Sequence, residues 1–375
     1  MLNPIVGPEA LTGSSRMKGG SATKILLESI LLSAHSLYVD ASVNLNMHRT
    51  LQQYEEWYRI TYLSQANIAE AISQAGASLM AGGHLYYLGK GSEYGALGLL
   101  DASECVPTFS SHYDDVRAFI SGGFQVFGNR EGSLSFCGTT LKISFDDFVS
   151  DILPNSSYKD TVVLIAMDLG NDNAQHVLKV ASKKKVRIIL IYCNGPEKAV
   201  DSSDDDLIKP VRISLQHAMS FTSSTLNNGI QNLLYQHFRI FLKEISVKWV
   251  LNAISTGAHI LKGKVLNNFM IDVKVSNNKL FHRAIAIICS FTGVTDVVAH
   301  DCLLKAIYKV DQLTDDMKQR TISQHVKNAG RADQVVPLAV LLVTGKFAVG
   351  SALVAIRNQR VAQIVKMLLK KNVEL

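Results

Sequence analysis

The chain has 375 residues, of which 47% are apolar and 19% are charged. At about 150 residues per domain this length predicts two or three domains, and the apolar fraction suffices for sizeable cores. The same proportions exclude a disordered tail, a collagen and a coiled-coil rod. The net charge of +6 is spread over a long chain and does not by itself indicate nucleic-acid binding.

The first predicted element is a strongly apolar helix at residues 21–35, which follows a loop rich in glycine and serine. Ile25, Leu26 and Ile30 recur at helical spacing and form a broad apolar face. A segment of about 35 residues cannot bury such a face in a core of its own. We therefore expect it to be the end of a domain whose beginning lies upstream, with apolar surface left exposed in this chain.

A second helical pattern runs over residues 47–77 and is predicted to end at Gly76 and at the glycines 82–83. The short apolar run 84–88 then predicts a buried strand, and a glycine turn leads into a helix at 94–105. A strand, a glycine turn and a helix in this order open a βαβ unit.

The same alternation of strand and helix continues downstream. The predicted elements are strands at 161–167 and 186–192, a helix at 173–183, a short edge strand at 211–215 and a solvated acidic loop at 201–206. Runs of β-branched residues without alternation indicate strands that are buried on both faces. The sequence therefore predicts an α/β fold with a doubly wound parallel sheet across residues 83–216.

The last third of the chain reads as helices only. The predicted helices are 229–261 (one long helix or two joined ones), 280–292, 299–308, 335–343, 348–355 and 359–371. An all-helical C-terminal module thus follows the sheet. We expect three domains, at residues 1–40, 45–245 and 246–375.

Residues 12–24 form the most informative motif, because several hydroxyls, three cations and three glycines lie just before or at the start of a helix. Glycines let backbone N–H groups approach an anion, and a helix N-terminus favours negative charge. Arg16 can bind a phosphate or a diol through two donors. The motif is either a sugar-phosphate loop or a helix capped by serine or threonine with a flexible leader.

Two further motifs have open interpretations. The glycine turn at 89–95 departs from the dinucleotide-binding pattern, so it is either a tight turn without ligand or a weak anion site. Lys264 follows a glycine at a helix end, where it could contact a phosphate or the helix dipole. Asp272, Asn277 and Asn278 are predicted to be turn and cap residues.

The sequence contains no self-contained catalytic or metal-binding motif. The five cysteines are far apart without a Cys-x-x-Cys pair, which favours a reducing compartment, and the eleven histidines are scattered. Neither a His-Glu-x-x-His helix nor a Gly-x-Ser-x-Gly elbow occurs. The longest apolar stretch, 335–343, is shorter than the roughly 20 residues that a bilayer requires. We expect an intracellular protein without metal, cofactor, nucleic-acid partner or membrane.

A resemblance adds to these inferences. Residues 6–24, VGPEALTGSSRMKGGSATK (the signature segment), resemble a signature of the sugar-isomerase (SIS) family shared by the N-acetylmuramic acid 6-phosphate etherases and the glucokinase regulatory proteins. Residues 263–273, 276–280 and 283–284 are similar to both groups. The regulatory proteins match more closely, at residues 14–28 and also at 248–252 and 255–259.

The resemblance implies two SIS domains and a helical lid, with one fructose-phosphate site where they meet. Ser14, Ser15 and Arg16 would line the sugar, and Lys264 would approach the phosphate. We expect neither Arg16 nor Lys264 to lie in a core, so alanine variants should fold.

The implied partner is glucokinase, whose inhibition fructose 6-phosphate favours and fructose 1-phosphate relieves. The implied protein is a regulator and not an enzyme, in cytoplasm and nucleus, with its kinase contact near residues 216–228. The alternative is an etherase-like lyase, which needs an acid/base carboxylate that the sequence does not place. The family's first sheet is expected upstream of residue 1.

Overall fold

A computed structural model describes residues 4, 6–39, 47–132, 134–167, 172–193, 211–215, 229–330, 332–358 and 363. The chain forms two compact units. The first comprises Met1–Ser103 and Tyr113–Ala258, and the second comprises Glu104–His112 and His259–Leu375. The predicted acidic loop at 201–206, the segment 216–228 and the predicted helix 359–371 lie outside the described residues, apart from residue 363.

Three helices open the first unit. They are α1 (Lys18–Val39), α2 (Met47–Thr61) and α3 (Gln65–Met80), with a single 3-10 turn at Tyr62–Ser64 between the last two. The prediction that Gly76 ends a helix is wrong, because Gly76 is buried inside α3. The actual break is Gly82, whose φ of 72° continues the chain in the left-handed region that glycine tolerates.

The first unit contains the predicted parallel sheet. Its strands are β1 (Leu85–Gly89), β2 (Val116–Ile120), β3 (Thr161–Ile165), β4 (Arg187–Tyr192) and β5 (Val211–Ser214), in the order β2-β1-β3-β4-β5. Every neighbouring pair is parallel, which confirms the predicted doubly wound α/β fold. The remaining helices that begin in this unit are α4 (Gly91–Phe109), the single turn α5 (Phe145–Asp147), α6 (Asp172–Lys183) and α7 (Gly229–Leu261).

Strand β2 was not predicted, because Arg117 interrupts its apolar run. The structure buries this arginine to 8% exposure. Its Nη2 donates hydrogen bonds to the carbonyl oxygens of Thr139 and Lys142, both at 3.0 Å. Its guanidinium also lies over the ring of Phe119, 5.0 Å from the ring centre. The buried Arg117 charge is thus compensated by hydrogen bonds and an aromatic ring, because β2 lies at the edge of the sheet.

The glycine turn after β1 is required by close packing. A Cβ on Gly89 would lie 2.4 Å from the backbone nitrogen of Gly95, and a Cβ on Gly95 would lie 2.4 Å from Cγ1 of Ile120. The turn is closed by a hydrogen bond from the Lys90 N–H to the carbonyl of Ile165, at 3.0 Å. Packing alone therefore accounts for these glycines, and the predicted weak anion site there stays a prediction.

The second unit contains the predicted helical module. After the hairpin β6–β7 (Val265–Leu266 and Phe269–Met270) come α8 (Asn278–Thr292), α9 (Asp296–Tyr308), α10 (Asp315–Gln319), α11 (Ile322–Ala329), α12 (Val335–Val343) and α13 (Val349–Asn358). These helices enclose one apolar core, and α12 is almost completely buried within it. Helices α10 and α11 were missed because they are short and mainly polar. Asn277 caps α8 as predicted, accepting from the Leu280 N–H at 2.9 Å.

No single helix of the described residues is both long and apolar enough to cross a membrane. Helices α8 and α9 together reach that length and composition, but across a bend of 114°.

Helix α1 buries several polar side chains and exposes several apolar ones. Its buried positions include Glu28, Ser29 and Ser36, whereas Leu27 and Leu31 are 55% and 61% exposed. The predicted exposed apolar surface is therefore confirmed. An apolar contact to the rest of the unit comes from a cluster that α1 shares with α2 and α7, made of Leu32, Tyr54, Trp57, Phe238, Leu242 and Ile245. The predicted domain boundaries near residues 40 and 245 stay a prediction.

We expect Gly89→Ala to destabilise the first unit by about 1–3 kcal/mol, because the new methyl group would meet backbone that cannot move aside. The matched control is Gly20→Ala in α1, where the methyl group would be 3.5 Å from the Lys248 side chain, an ordinary contact. That change should be neutral or stabilising by about 0.5 kcal/mol. Urea unfolding of both variants measures the difference, and equal stabilities would contradict the packing argument.

Candidate functional site

The N-terminus of α1 is capped by a carboxylate from its own chain. Glu9 accepts the N–H of Lys18 through Oε2 at 2.9 Å and the N–H of Gly19 through Oε1 at 2.6 Å. A negative charge at this position also interacts favourably with the helix dipole. The alternative of a serine or threonine cap is therefore wrong, because Glu9 supplies both acceptors.

Arg16 lies in the loop just before α1 and is 6% exposed. Its Nη2 donates to Oγ of Ser255 at 2.8 Å and to Oγ1 of Thr256 at 2.9 Å, both on α7. Its Nη1 lies 3.4 Å from both the carbonyl and the Oδ1 of Asp101, on α4. The expectation that Arg16 lies outside a core is wrong. Its guanidinium is buried because an acid and two hydroxyls compensate its charge.

Asp101 is the centre of this buried network. Its Oδ1 accepts from Nδ2 of Asn252 at 2.6 Å and from Oγ of Ser255 at 3.1 Å. Its Oδ2 accepts from the hydroxyl of Tyr87, on β1, at 3.1 Å. Residues of β1, α4, α7 and the signature segment thus share one carboxylate. Asp101 was not identified from the sequence, although a single acid directly after the apolar pattern at 96–100 is a usable signal.

Lys248 holds the backbone of the same segment. Its Nζ donates to the carbonyl of Arg16 at 2.9 Å, to Oδ1 of Asn252 at 2.9 Å and to Oγ of Ser21 at 3.2 Å. Ser21 also accepts from Nε1 of Trp249 at 3.2 Å. Lys248 and Asn252 are four residues apart in α7, so they lie on one helix face.

Lys24 makes the third connection to α7. Its Nζ pairs with Glu244 at 2.6 Å and with Glu28 one turn along α1. Glu28 also accepts from the hydroxyl of Tyr54 at 2.8 Å. Burial raises the pKa of the Glu28 carboxyl above its usual range, while the Lys24 ammonium opposes this shift. Burial and the adjacent Glu28 charge likewise raise the pKa of Tyr54, so its hydroxyl stays a donor.

The polar side of the signature segment therefore packs along α7. Arg16 meets residues 255–256, Ser21 meets 248–249 and Lys24 meets 244, so the contacts run in opposite chain directions. Residues at these spacings share a face on each helix. Much of a motif that sequence reasoning assigned to a ligand holds the first unit together.

The two predicted serines are placed differently. Ser14 is 6% exposed, and its N–H bonds to the carbonyl of Leu11 at 3.0 Å. Ser15 is exposed, and its carbonyl accepts from the N–H of Gly20 at 2.8 Å. Ser15 therefore presents a hydroxyl at the surface of a loop whose backbone is fixed. We call residues 12–17 the signature loop.

Lys264 belongs to the second unit. Gly263 ends α7 with a φ of 86°, and the Lys264 N–H bonds to the carbonyl of His259 at 2.9 Å. The Lys264 ammonium pairs with Asp272 and lies 3.4 Å from the carbonyl of Ser110. The expectation that Lys264 lies outside a core is only partly correct, since its side chain is 18% exposed.

Asp272 lies in a turn, as predicted, but it is buried. Its side chain is 3% exposed and pairs with Lys264. Burial raises the pKa of the Asp272 carboxyl, and the Lys264 ammonium opposes this shift. A separate, exposed turn precedes it at Asn267, which has a φ of 53° between β6 and β7.

Ser14, Ser15 and Arg16 lie together in the first unit, and Lys264 lies in the second. Their convergence on one sugar phosphate stays a prediction. Within the described ranges, no group of three or more His, Cys, Asp or Glu side chains is arranged to hold a metal ion.

The fold defines a doubly wound α/β protein with a second, helical unit, and comparison with known proteins identifies its class. Residues 62–262 match the family model of the second SIS domain of glucokinase regulatory protein, and residues 267–365 match the model of its C-terminal lid domain. The first range includes the whole parallel sheet, and the second includes helices α8–α13. The predicted SIS sheet and helical lid are both confirmed.

Individual relatives agree with these models. Glucokinase regulatory protein of Xenopus laevis is 38% identical over 343 residues, which cover 91% of this chain and 54% of that protein. The Homo sapiens protein is 36% identical over 345 residues, 91% of this chain and 53% of its own length. The chain thus spans about half the length of these relatives, and it belongs to the glucokinase regulatory protein family.

A bacterial group is also similar. The N-acetylmuramic acid 6-phosphate etherase of Symbiobacterium thermophilum is 30% identical over 279 residues, which cover 74% of this chain and 84% of the etherase. The resemblance of the signature segment to both groups is therefore matched by similarity over much of the chain.

We expect Lys264→Met to destabilise the second unit by about 2–4 kcal/mol, because it leaves the buried Asp272 carboxylate without its cation. In the variant the folded-state pKa of Asp272 lies above its unfolded value of about 3.9, so the folded state binds the proton more tightly. Stability should then fall as pH rises above about 4, and the loss should be larger at about pH 7.5 than at about pH 5.

Urea unfolding at both pH values measures this effect. Lys262 and Asp333 also act on Asp272 and remain in place. The control Lys279→Met removes an exposed cation at the start of α8 and should change stability by less than about 0.5 kcal/mol. The double variant Lys264→Met/Asp272→Asn should recover most of the loss. A loss of equal size at both pH values would count against the buried pair.

Proposed function

We propose that this chain is a sugar-phosphate-responsive regulator that binds and inhibits glucokinase and is not itself an enzyme. The observation that carries the proposal is the 36–38% identity to proteins named glucokinase regulatory protein, which extends over 91% of this chain. The similarity includes both the sheet and the lid, so it is not limited to one common module.

The proposed ligands are fructose 6-phosphate and fructose 1-phosphate, bound at the junction of the SIS domains and the lid. Ser15 supplies an exposed hydroxyl, and Ser14 and Arg16 shape the loop beneath it. Lys264 supplies the cation for the phosphate, and Asp272 already orients its ammonium. Charge-assisted hydrogen bonds of this kind suit a phosphate dianion.

The proposed mechanism is a shift between two arrangements of the regulator. A sugar phosphate that binds one arrangement better than the other increases the population of that arrangement. If the kinase prefers the same arrangement, ligand and kinase strengthen each other's binding by the same factor, and a ligand of the other arrangement releases the kinase. No bond of the sugar phosphate is made or broken in this scheme. We propose that regulation takes place in cytoplasm and nucleus, as the resemblance implies.

The second candidate is a lyase acting on N-acetylmuramic acid 6-phosphate, which the identity to the Symbiobacterium thermophilum etherase favours. Such chemistry needs a carboxyl group free to transfer a proton. The carboxylate of the signature segment does not offer this, because both oxygens of Glu9 accept N–H groups of α1. This arrangement makes Glu9 unsuited to the proton transfer that a lyase needs.

The first test is kinase binding. We expect the purified chain to retain glucokinase in a pull-down with fructose 6-phosphate, to lower the apparent glucose affinity of the kinase and to release it with fructose 1-phosphate. The control is fructose without phosphate, which should have no effect. The absence of both association and inhibition would overturn the proposal, and cleavage of N-acetylmuramic acid 6-phosphate by the chain would establish the lyase instead.

The second test is the ligand site. Ser15→Ala removes one exposed hydroxyl without disturbing the buried network, so it should weaken fructose 1-phosphate binding by about three- to tenfold with unchanged stability. The matched control is Lys90→Ala, in the glycine turn after β1, which should leave binding unchanged. Calorimetric titration decides between them. If Lys90→Ala abolishes binding and Ser15→Ala does not, the site lies at the turn of the sheet.

A further inference from the structure

Asp101 is buried in α4 and does not reach the surface where the proposed ligand binds. We propose that Asp101 is a positioning residue, which acts through Arg16 to hold the signature loop in the conformation that binds the sugar phosphate. The inference rests on the proposed function and adds to it a buried residue that maintains the conformation of the binding loop.

The geometry supplies a closed ring of contacts around Arg16. Its guanidinium lies against Asp101, and Asp101 accepts from Nδ2 of Asn252. The Oδ1 of Asn252 accepts from Nζ of Lys248, and the same Nζ donates to the carbonyl of Arg16. The ring of contacts therefore holds Arg16 in place through both its side chain and its backbone carbonyl. The two partners of Asn252 also define the orientation of its amide, since one donates and the other accepts.

A second path connects the same two charges. Arg16 Nη2 donates to Oγ of Ser255 at 2.8 Å, and Ser255 donates its own proton to Asp101 at 3.1 Å. The Ser255 hydroxyl thus bridges the Asp101 carboxylate and the Arg16 guanidinium and helps to fix the orientation of the guanidinium. The arginine side chain can rotate about several bonds, so its direction is set by these partners.

These contacts bear on sugar-phosphate binding because Arg16 is adjacent to Ser15 in the chain. Ser15 precedes it and presents the exposed hydroxyl, and its carbonyl accepts from the Gly20 N–H at the start of α1. A loop fixed before the ligand arrives loses less conformational freedom on binding. A change at Asp101 should therefore reduce ligand affinity, although Asp101 itself touches no ligand.

The experiment compares Asp101→Asn, Arg16→Met and the double variant. Asp101→Asn keeps the shape of the side chain and removes its charge. The control is Ser103→Ala, two residues along α4, where the hydroxyl bonds only locally to the carbonyl of Leu100 among its described contacts. Three quantities are measured: calorimetric affinity for fructose 1-phosphate, thermal unfolding, and hydrogen–deuterium exchange of residues 12–17 without ligand.

We expect Asp101→Asn and Arg16→Met each to weaken fructose 1-phosphate binding by about tenfold. The exchange of the signature loop should become faster in both. The double variant should bind no more weakly than either single variant, because both changes remove the same positioning. Its unfolding temperature should nevertheless rise above that of Asp101→Asn, since no unpaired cation is left buried. Ser103→Ala should match the unmodified chain in all three measurements.

A merely structural role predicts a different result, in which the affinity of the double variant recovers together with its stability. That result overturns the proposal, as do unchanged affinity in Asp101→Asn and losses that multiply in the double variant. If Asp101→Asn does not fold, Ser255→Ala replaces it, and it should weaken binding by about threefold without altering a charge; unchanged affinity there also overturns the proposal. If the unmodified chain binds neither fructose phosphate, the proposed function fails. The loop-holding role of Asp101 is then decided by exchange alone, and unchanged exchange overturns it.

Discussion

The burial of Arg16 against Asp101 is the constraint on which much of the first unit depends. A guanidinium at 6% exposure is tolerable only because a carboxylate and two hydroxyls surround it. Those partners come from α4 and α7, and Tyr87 extends the network to the first strand of the sheet. Polar groups with defined directions thus fix the positions of these elements within the unit. Apolar packing tolerates sliding, whereas a hydrogen-bonded charge pair does not.

This arrangement changes the meaning of the signature segment. Its cations and hydroxyls look like ligands in the sequence, but Arg16, Ser21 and Lys24 all turn towards α7. Ser15 remains at the surface, as do Thr12 and Lys18, and buried residues on either side support it. The signature segment therefore has two roles, because it forms the proposed ligand loop and also packs against α7. These two roles give a physical reason why so many of its positions require a particular residue type. The same division recurs in the lid, where Asp272 is buried and orients the more accessible Lys264.

Local patterns predicted the fold well where burial and periodicity agree. The strands at Thr161–Ile165 and Arg187–Tyr192 were found because their β-branched runs are buried on both faces, and α12 was found with its exact ends. The strand Val116–Ile120 was missed because Arg117 interrupts its apolar run, and the partners of that charge include carbonyl groups 22 and 25 positions away. The site was harder for the same reason. Asp101 pairs with a residue 85 positions away, and patterns of neighbouring residues cannot predict a contact over that separation.

Helix α1 reverses the usual relation between hydrophobicity and tolerance to substitution. Positions such as Ser29 and Ser36 are 2% and 0% exposed, while Leu31 is 61% exposed. A scale that ranks variants by loss of apolar character would therefore rank this helix in the wrong order. Exchanging a buried serine for leucine would add volume where there is no space, whereas exchanging Leu31 for glutamine would remove little contact within the unit. Along these 22 residues, the buried serines are among the positions that should tolerate larger side chains least.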